Sequence, residues 1–393
     1  MHKCLSIHDI LLLVFEQVDG YVFDDAGLNV VPLCREVASL HALAALARTC
    51  KGFQEPALDV LWRDIPDLFV LVKYALPSDA LDYQEANRTL YIHNPDDASL
   101  WRTLDPFVRR IRAVGIPLPY EDSIGRVLDE GSVVEPLAKY LTDKGSGYAF
   151  PQLQEVTLHV SWLSQAYCTL LLNPQVRRLQ LPSDWYGPCL SPLLRPSLSR
   201  LRVVKLDMGS VFKLGNDFIY NLAKALPSLK RFSALPESPG SFPSIHPSSP
   251  VEEMQTLDCL LAFVEHCPRL RELKIATLPR FSTGFVFRQG GDVPKAKKLR
   301  SLRLWTAPLE TSGEHARDVG DFLAQTFPRV KRVDLGLFSV RLPDRAALYA
   351  GMLWREEALR RWEEIVDSLG SVDFYAVTFV DMKLYPSPRT FTW

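Results

Sequence analysis

No run of about 20 apolar residues occurs in this chain, so it offers no candidate membrane-spanning helix. The apolar run nearest the N-terminus, Ile10 to Phe15, is short, follows His8 and Asp9, and has no small-residue cleavage site behind it. That argues against a signal peptide. A basic stretch is also missing: 45 Lys and Arg stand against 46 Asp and Glu, a formal net charge of −1. Phosphate neutralisation needs clustered cations, so composition gives no case for nucleic acid or an anionic membrane surface. The seven cysteines, Cys4, Cys34, Cys50, Cys168, Cys189, Cys259 and Cys267, are odd in number, irregularly spaced and contain no C-x-x-C. Reduced thiols in the cytoplasm or nucleus are expected.

Catalytic motifs are absent too. There is no H-E-x-x-H, G-x-S-x-G, G-x-G-x-x-G or Walker A loop. The acid pairs Asp24-Asp25 and Asp96-Asp97 lie in polar turns. Cys259, His266 and Cys267 are close in sequence, match no zinc spacing, and read as core residues at the end of an apolar helix face. No catalytic residue, cofactor or metal is expected, and the chain reads as a binding protein rather than an enzyme.

What is present is a repeat. The phrase apolar-x-x-apolar-x-apolar, often after Pro, recurs as FPQLQEVTLHV (150–160), NPQVRRLQLP (173–182), LSRLRVVKLDM (198–208) and LPSLKRFSAL (226–235). It continues as CPRLRELKIATL (267–278), KKLRSLRLW (297–305) and FPRVKRVDLGL (327–337), with weaker copies at 106–116 and 371–379. The anchors Leu153, Val176, Leu201, Leu229, Leu270, Leu299 and Val330 are 23, 25, 28, 41, 29 and 31 residues apart. The last two apolar positions of each phrase are two residues apart and share one face of a short strand. Helical patterns follow at 214–226, 254–267 and 314–327, each stopping at or before Pro. Strand, turn and helix repeating at this period describe an irregular leucine-rich-repeat solenoid, with a parallel sheet inside and helices outside. The closing Asn of a strict repeat is missing. The alternative is an ordinary doubly wound α/β domain. The 41-residue gap holds an inserted loop, 233–252, with five prolines and six serines, expected to be irregular. A further helix is expected over 356–369, and the tail 383–393 reads as irregular.

Residues beside the inward pair of each strand point to the other, concave face. They include Glu155, Thr157, His159, Arg178, Gln180, Lys205, Asp207, Arg231, Glu272, Lys274, Arg303, Trp305, Arg332 and Asp334. The substrate-binding candidates are His159, Lys205, Lys274, Arg303 and Trp305, with Trp305 as an aromatic anchor. The rim loops 182–199 and 233–252 are the competing site.

Ahead of the repeats, IHDILLLVFEQV (7–18) has helical spacing of Ile7, Ile10, Leu11, Val14, Phe15 and Val18. ALAALARTCKGFQEPALDVLWRDI follows at 42–65 and reads as two short helices, the second opening at Pro56 after a polar break over 51–55. Ile7-His8-Asp9-Ile10-Leu11, Val14-Phe15, Leu40, Leu43, Leu46, Cys50-Lys51 and Leu61-Trp62 resemble the F-box, the adaptor-docking module of SCF-type cullin–RING ubiquitin ligases. The stretch from Thr49 to Trp62 looks like the F-box-like proteins common in fungal genomes. His8 stands where the family has Pro, and residues 19–39 replace a short loop.

The resemblance implies a three-helix F-box-like module over 1–76, with an inserted loop at 19–39, followed by an α/β repeat domain over 77–393. It implies a substrate receptor of an SCF-type ligase that binds the adaptor subunit through Ile7, Ile10, Leu11, Val14, Phe15, Leu40 and Leu43, and a protein substrate through the repeats. A free-standing repeat scaffold without ligase association is the alternative; a helical cap shielding the first repeat would then explain the N-terminal helices.

Overall fold

The computed structural model describes residues 7–23, 32–115, 127–143, 149–158, 170–181, 193–206, 214–235, 255–277, 281–282, 294–306, 313–330, 332–337, 360 and 373–377. The loop expected at 233–252 lies almost wholly outside them, as do the helix expected over 356–369 and the tail. The chain forms two compact units, Met1–Leu179 and Gln180–Trp393. The N-terminal helices share the first unit with the strands up to Leu179.

The first unit opens with α1 (His8–Val18), β1 (Tyr21–Phe23), β2 (Pro32–Arg35), α2 (Val37–Thr49) and α3 (Lys51–Leu61). Leu11 and Phe15 of α1, Leu43 of α2, and Ala57 and Val60 of α3 form one buried cluster. Leu12, Val18, Leu46, Ala47, Phe53 and Leu61 pack around it. The helices thus do close a core among themselves. The polar stretch before Pro56 is not a break. Cys50 alone is extended (φ −156°, ψ 160°), and α3 starts at Lys51 and runs through Pro56. Pro56 has no N–H for the Gly52 carbonyl four residues back, and Gly52 is exposed, so this lost bond falls at the solvent face of the helix. The gain is Phe53, which this early start turns into the core, edge-on to Phe15 with ring centroids 5.5 Å apart.

Residues 19–39 are not a simple loop either. β1 and β2 pair antiparallel, Val22 opposite Cys34, and the Glu36 amide closes the ribbon on the Gly20 carbonyl at 2.9 Å. Beyond α3 come β3 (Asp64–Ile65), α4 (Leu68–Ala75), β4 (Leu81–Gln84), β5 (Thr89–Ile92), α5 (Ala98–Arg102), α6 (Asp105–Val108), β6 (Ala113–Val114), β7 (Val127–Leu128), α7 (Glu135–Asp143) and β8 (Glu155–Thr157). β3, β6 and β8 pair parallel in that order. A separate small sheet joins β4 antiparallel to β5, and β5 parallel to β7. At the end of β6, Gly115 has φ +101°, and a Cβ there would lie 1.6 Å from the Thr157 carbonyl oxygen. Only glycine allows that approach.

Asp67 caps α4 by accepting the Val70 amide at 2.9 Å. Asp67→Ala is expected to cost about 1 kcal/mol, measured as a shifted urea midpoint. A midpoint equal to wild type would mean that water replaces the cap at no cost.

The division between units falls inside β9 (Arg178–Leu181). The second unit holds β10 (Val203–Leu206), α8 (Asn216–Ala225), β11 (Arg231–Ala234), α9 (Cys259–His266), β12 (Glu272–Thr277), β13 (Ser301–Thr306), α10 (Gly313–Thr326), β14 (Arg332–Leu337) and β15 (Asp373–Val377). The strands from β10 to β15 pair parallel in chain order. Every phrase anchor, from Leu153 to Val330, is buried. So are the inward pairs Val156 and Leu158, Leu179 and Leu181, Val204 and Leu206, Phe232 and Ala234, Leu273 and Ile275, and Leu302 and Leu304. Ile219, Leu222 and Ala223 of α8, Leu260 and Phe263 of α9, and Val319, Phe322 and Leu323 of α10 are buried as well. Phe263 meets Phe232 of β11 at 4.8 Å between centroids. This is a mixed α/β repeat protein built on parallel strands, with helices at its N-terminus. Among the described residues, no helix is long and apolar enough to cross a membrane.

Candidate functional site

α1 carries more apolar residues than its own core can use. Leu11 and Phe15 are 2% and 3% exposed, whereas Ile7, Ile10, Leu13 and Val14 are 49%, 36%, 62% and 45% exposed. At about 100° per residue these four share a face beside the buried one. The seven residues expected to meet an adaptor therefore separate. Ile7, Ile10 and Val14 are on the surface, and Leu40 is half-buried. Leu11, Phe15 and Leu43 are inside the helical cluster and cannot touch a partner without unpacking it. The sequence reading missed Leu13. It lies three residues after Ile10, but it falls outside the F-box pattern that guided the choice.

Charged pairs hold the rest of this region together. The Arg35 guanidinium donates to Asp19 Oδ1 from Nε at 2.8 Å and from Nη2 at 2.6 Å. It also donates to the carbonyls of Val60, Leu61 and Asp64. Arg63 meets Glu16 at 2.6 Å and Asp19 at 3.1 Å. Arg110 meets Asp59 at 2.7 Å and also pairs with Glu55. His8 has Nε2 3.6 Å from Asp59 Oδ2. Glu16, Glu55, Asp59, Arg63 and Arg110 line a cleft of about 280 Å³ with Arg109 and Arg112. Most of its charge is neutralised internally, so the cleft has little excess to offer an ion.

On the outward strand positions, the register aligns Lys205, Ser233, Lys274, Arg303, Asp334 and Tyr375 across β10 to β15. Lys205, Lys274 and Arg303 thus share one row, with Ser233 between the first two. Lys274 Nζ is 2.8 Å from Glu272 of its own strand, and both side chains are roughly a quarter exposed. Trp305 is two residues along from Arg303, between Ala276 and Gly336 in register. Ala276 is fully buried, so that level of β12 is covered. His159 lies outside the described residues.

Cys259 and Cys267 are buried free thiols. Burial pushes Cys267 up to about 12, and burial with the Asp258 charge pushes Cys259 higher still. Thiols held protonated in this way are poor metal ligands and poor nucleophiles. Among the described residues no group of three metal-ligating side chains forms.

No family model matches the chain, and no curated protein does. Among solved structures, the crystal structure of the Rad7 and Elc1 complex in yeast matches at 13% identity, over 87% of this chain and 84% of that one, with a TM-score of 0.31. A likeness of that size transfers neither architecture nor activity.

Proposed function

We propose that this chain is a non-enzymatic substrate receptor of an SCF-type ubiquitin ligase. The N-terminal helices would dock the ligase adaptor and the repeats would hold a protein substrate, so the chain supplies proximity and not chemistry. The observation that carries the reading is the bare row Ile7, Ile10, Leu13 and Val14 over an already closed helical core. Apolar side chains left out of a core that does not need them suit a helix-in-groove contact. The F-box resemblance of Ile7, Ile10 and Val14 commits the occupant to the ligase adaptor. On the substrate side, the row Lys205, Lys274 and Arg303 is the polar surface proposed for the protein substrate, with Trp305 next to it.

Full-length protein is expected to capture purified adaptor subunit. Ile10→Glu with Val14→Glu is expected to weaken capture at least about 30-fold, since a central apolar anchor contributes about 2 kcal/mol or more. Folding stability should move by no more than about 0.5 kcal/mol, because both side chains are on the surface. No capture by the wild-type chain would leave the free-standing scaffold as the reading. Capture unchanged in the double variant would move the docking face elsewhere.

A further inference from the structure

The residue just before each of the four strands β10 to β13 is basic: Arg202 before β10, Lys230 before β11, Arg271 before β12 and Arg300 before β13. The backbone stacks them. The Arg202 carbonyl accepts the Lys230 and Arg231 amides at 2.7 and 3.0 Å. The Lys230 carbonyl accepts those of Arg271 and Glu272, and the Arg271 carbonyl accepts those of Arg300 and Ser301. Each rung follows a buried anchor, Leu201, Leu229, Leu270 or Leu299, which fixes its position along the edge. Adjacent parallel strands are ~4.8 Å apart, so four rungs make a row ~14 Å long. Arg269 and Lys298, two residues before Arg271 and Arg300, add to it.

The row is exposed and uncompensated. Arg202, Arg269, Arg271, Lys298 and Arg300 are exposed, and Lys230 is half-exposed. None of the six has an acidic partner among the described residues. The neighbouring acid Glu272 is engaged by Lys274 at 2.8 Å and Arg231 at 3.6 Å. Lys230 feels its neighbours in the row. Arg202 foremost, then burial, then Arg271 and Arg269 hold the Lys230 ammonium below the usual lysine range. Like charges crowded at one edge, when the chain has a net charge of only −1, are held against their own repulsion by the fold.

We infer that this edge of the second unit, the row Arg202, Lys230, Arg271 and Arg300, is a binding surface for an extended acidic peptide segment of a partner protein. Arginine matches carboxylates bidentately, and a single row suits a single extended chain. Nucleic acid fits less well. The row carries no aromatic side chain on which a base stacks, and Glu272 directly beside it places a carboxylate where a phosphate backbone would run. The surface is distinct from the α1 face, and its test contains no adaptor, so it stands or falls separately from ligase docking.

The test is fluorescence anisotropy of the full-length chain with labelled octaglutamate, ~26 Å long when extended at ~3.3 Å per residue. Oligothymidylate of matched charge is the competing probe. Octaglutamate is expected to bind, and to bind more weakly as salt is raised from about 50 to about 200 mM. Arg202→Glu with Arg271→Glu is expected to weaken it about tenfold or more, and Arg202→Gln with Arg271→Gln by an intermediate factor. Arg102→Glu with Lys139→Glu, two exposed cations of the first unit, is expected to leave it unchanged. Circular dichroism checks that each variant is folded. No binding by the wild-type chain, an equal loss in the first-unit variant, or tighter binding of oligothymidylate than of octaglutamate would each overturn the proposal.

Discussion

Arg35→Ala is expected to destabilise the helical cluster by about 3–5 kcal/mol, the usual result of stripping one partner from a buried ion pair. Asp19 has no exposed side-chain surface and Arg35 only 3%. Without the guanidinium, Asp19 keeps Arg63 at 3.1 Å as its cation. The carbonyls of Val60 and Leu61, at the C-terminal end of α3 where helix carbonyls have no intrahelical donor, lose Arg35 as well. Lysine is not an adequate substitute, because its ammonium lacks the planar fork that reaches a carboxylate and three carbonyls together. Arg35→Met with Asp19→Leu is expected to recover most of the loss, since a buried pair replaced on both sides by apolar groups is often neutral. Amide hydrogen exchange in α1 and α3 reads the effect locally. Unchanged protection in Arg35→Ala would show that the network is dispensable. Loss of protection expected in the single variant and its recovery in the double one would show that 19–39 is a structural tie carrying one essential residue.

Phe15→Ala should cost about 3–5 kcal/mol, the range for truncating a buried aromatic ring. The ring is 3% exposed and meets Phe53 at an interplanar angle of 83°, an edge-to-face contact that adds about 0.5–1.5 kcal/mol to its area burial. It belongs to the cluster that joins all three helices, so the vacancy cannot be closed by moving one of them. Val14, one residue earlier, is 45% exposed and should cost almost nothing on truncation. The two variants in parallel urea titrations distinguish the core face of α1 from its bare face. Equal effects would mean that the helix is rotated about its axis relative to this arrangement.

The repeat was legible in the sequence because its signal is local. An anchor and an inward pair recur within six residues, and every one of those positions with a described side chain is buried. The helices between phrases were equally legible, and α8 and α10 fall within two residues of the expected ranges. β3 and the small sheet of β4, β5 and β7 were not. β3 is two residues long and the sheet is made by non-local pairing, so neither has a periodic pattern to read. The start of α3 was misread because local rules favour Pro at the first turn. Burial of Phe53, a tertiary gain, outweighed them. Cys259 and Cys267 matched their expected place in the core, since an apolar helix face already contained them.

The sequence by itself determined which residues go inside. Hydrophobic spacing fixes the inward face of each strand and helix, whatever surrounds it. It did not determine which outward residues become neighbours, because that depends on register between segments far apart in the chain. Arg202, Lys230, Arg271 and Arg300 are separated by 28, 41 and 29 residues, and no window the length of one strand or helix contains two of them. A composition with balanced charge therefore gave no sign of a basic surface. The same holds for α1: helical spacing marked Ile7, Ile10, Leu11, Val14 and Phe15 alike as one apolar set. Only packing against its neighbours divided it into a face that folds the protein and a face left exposed, because α2 and α3 cover only one side of α1.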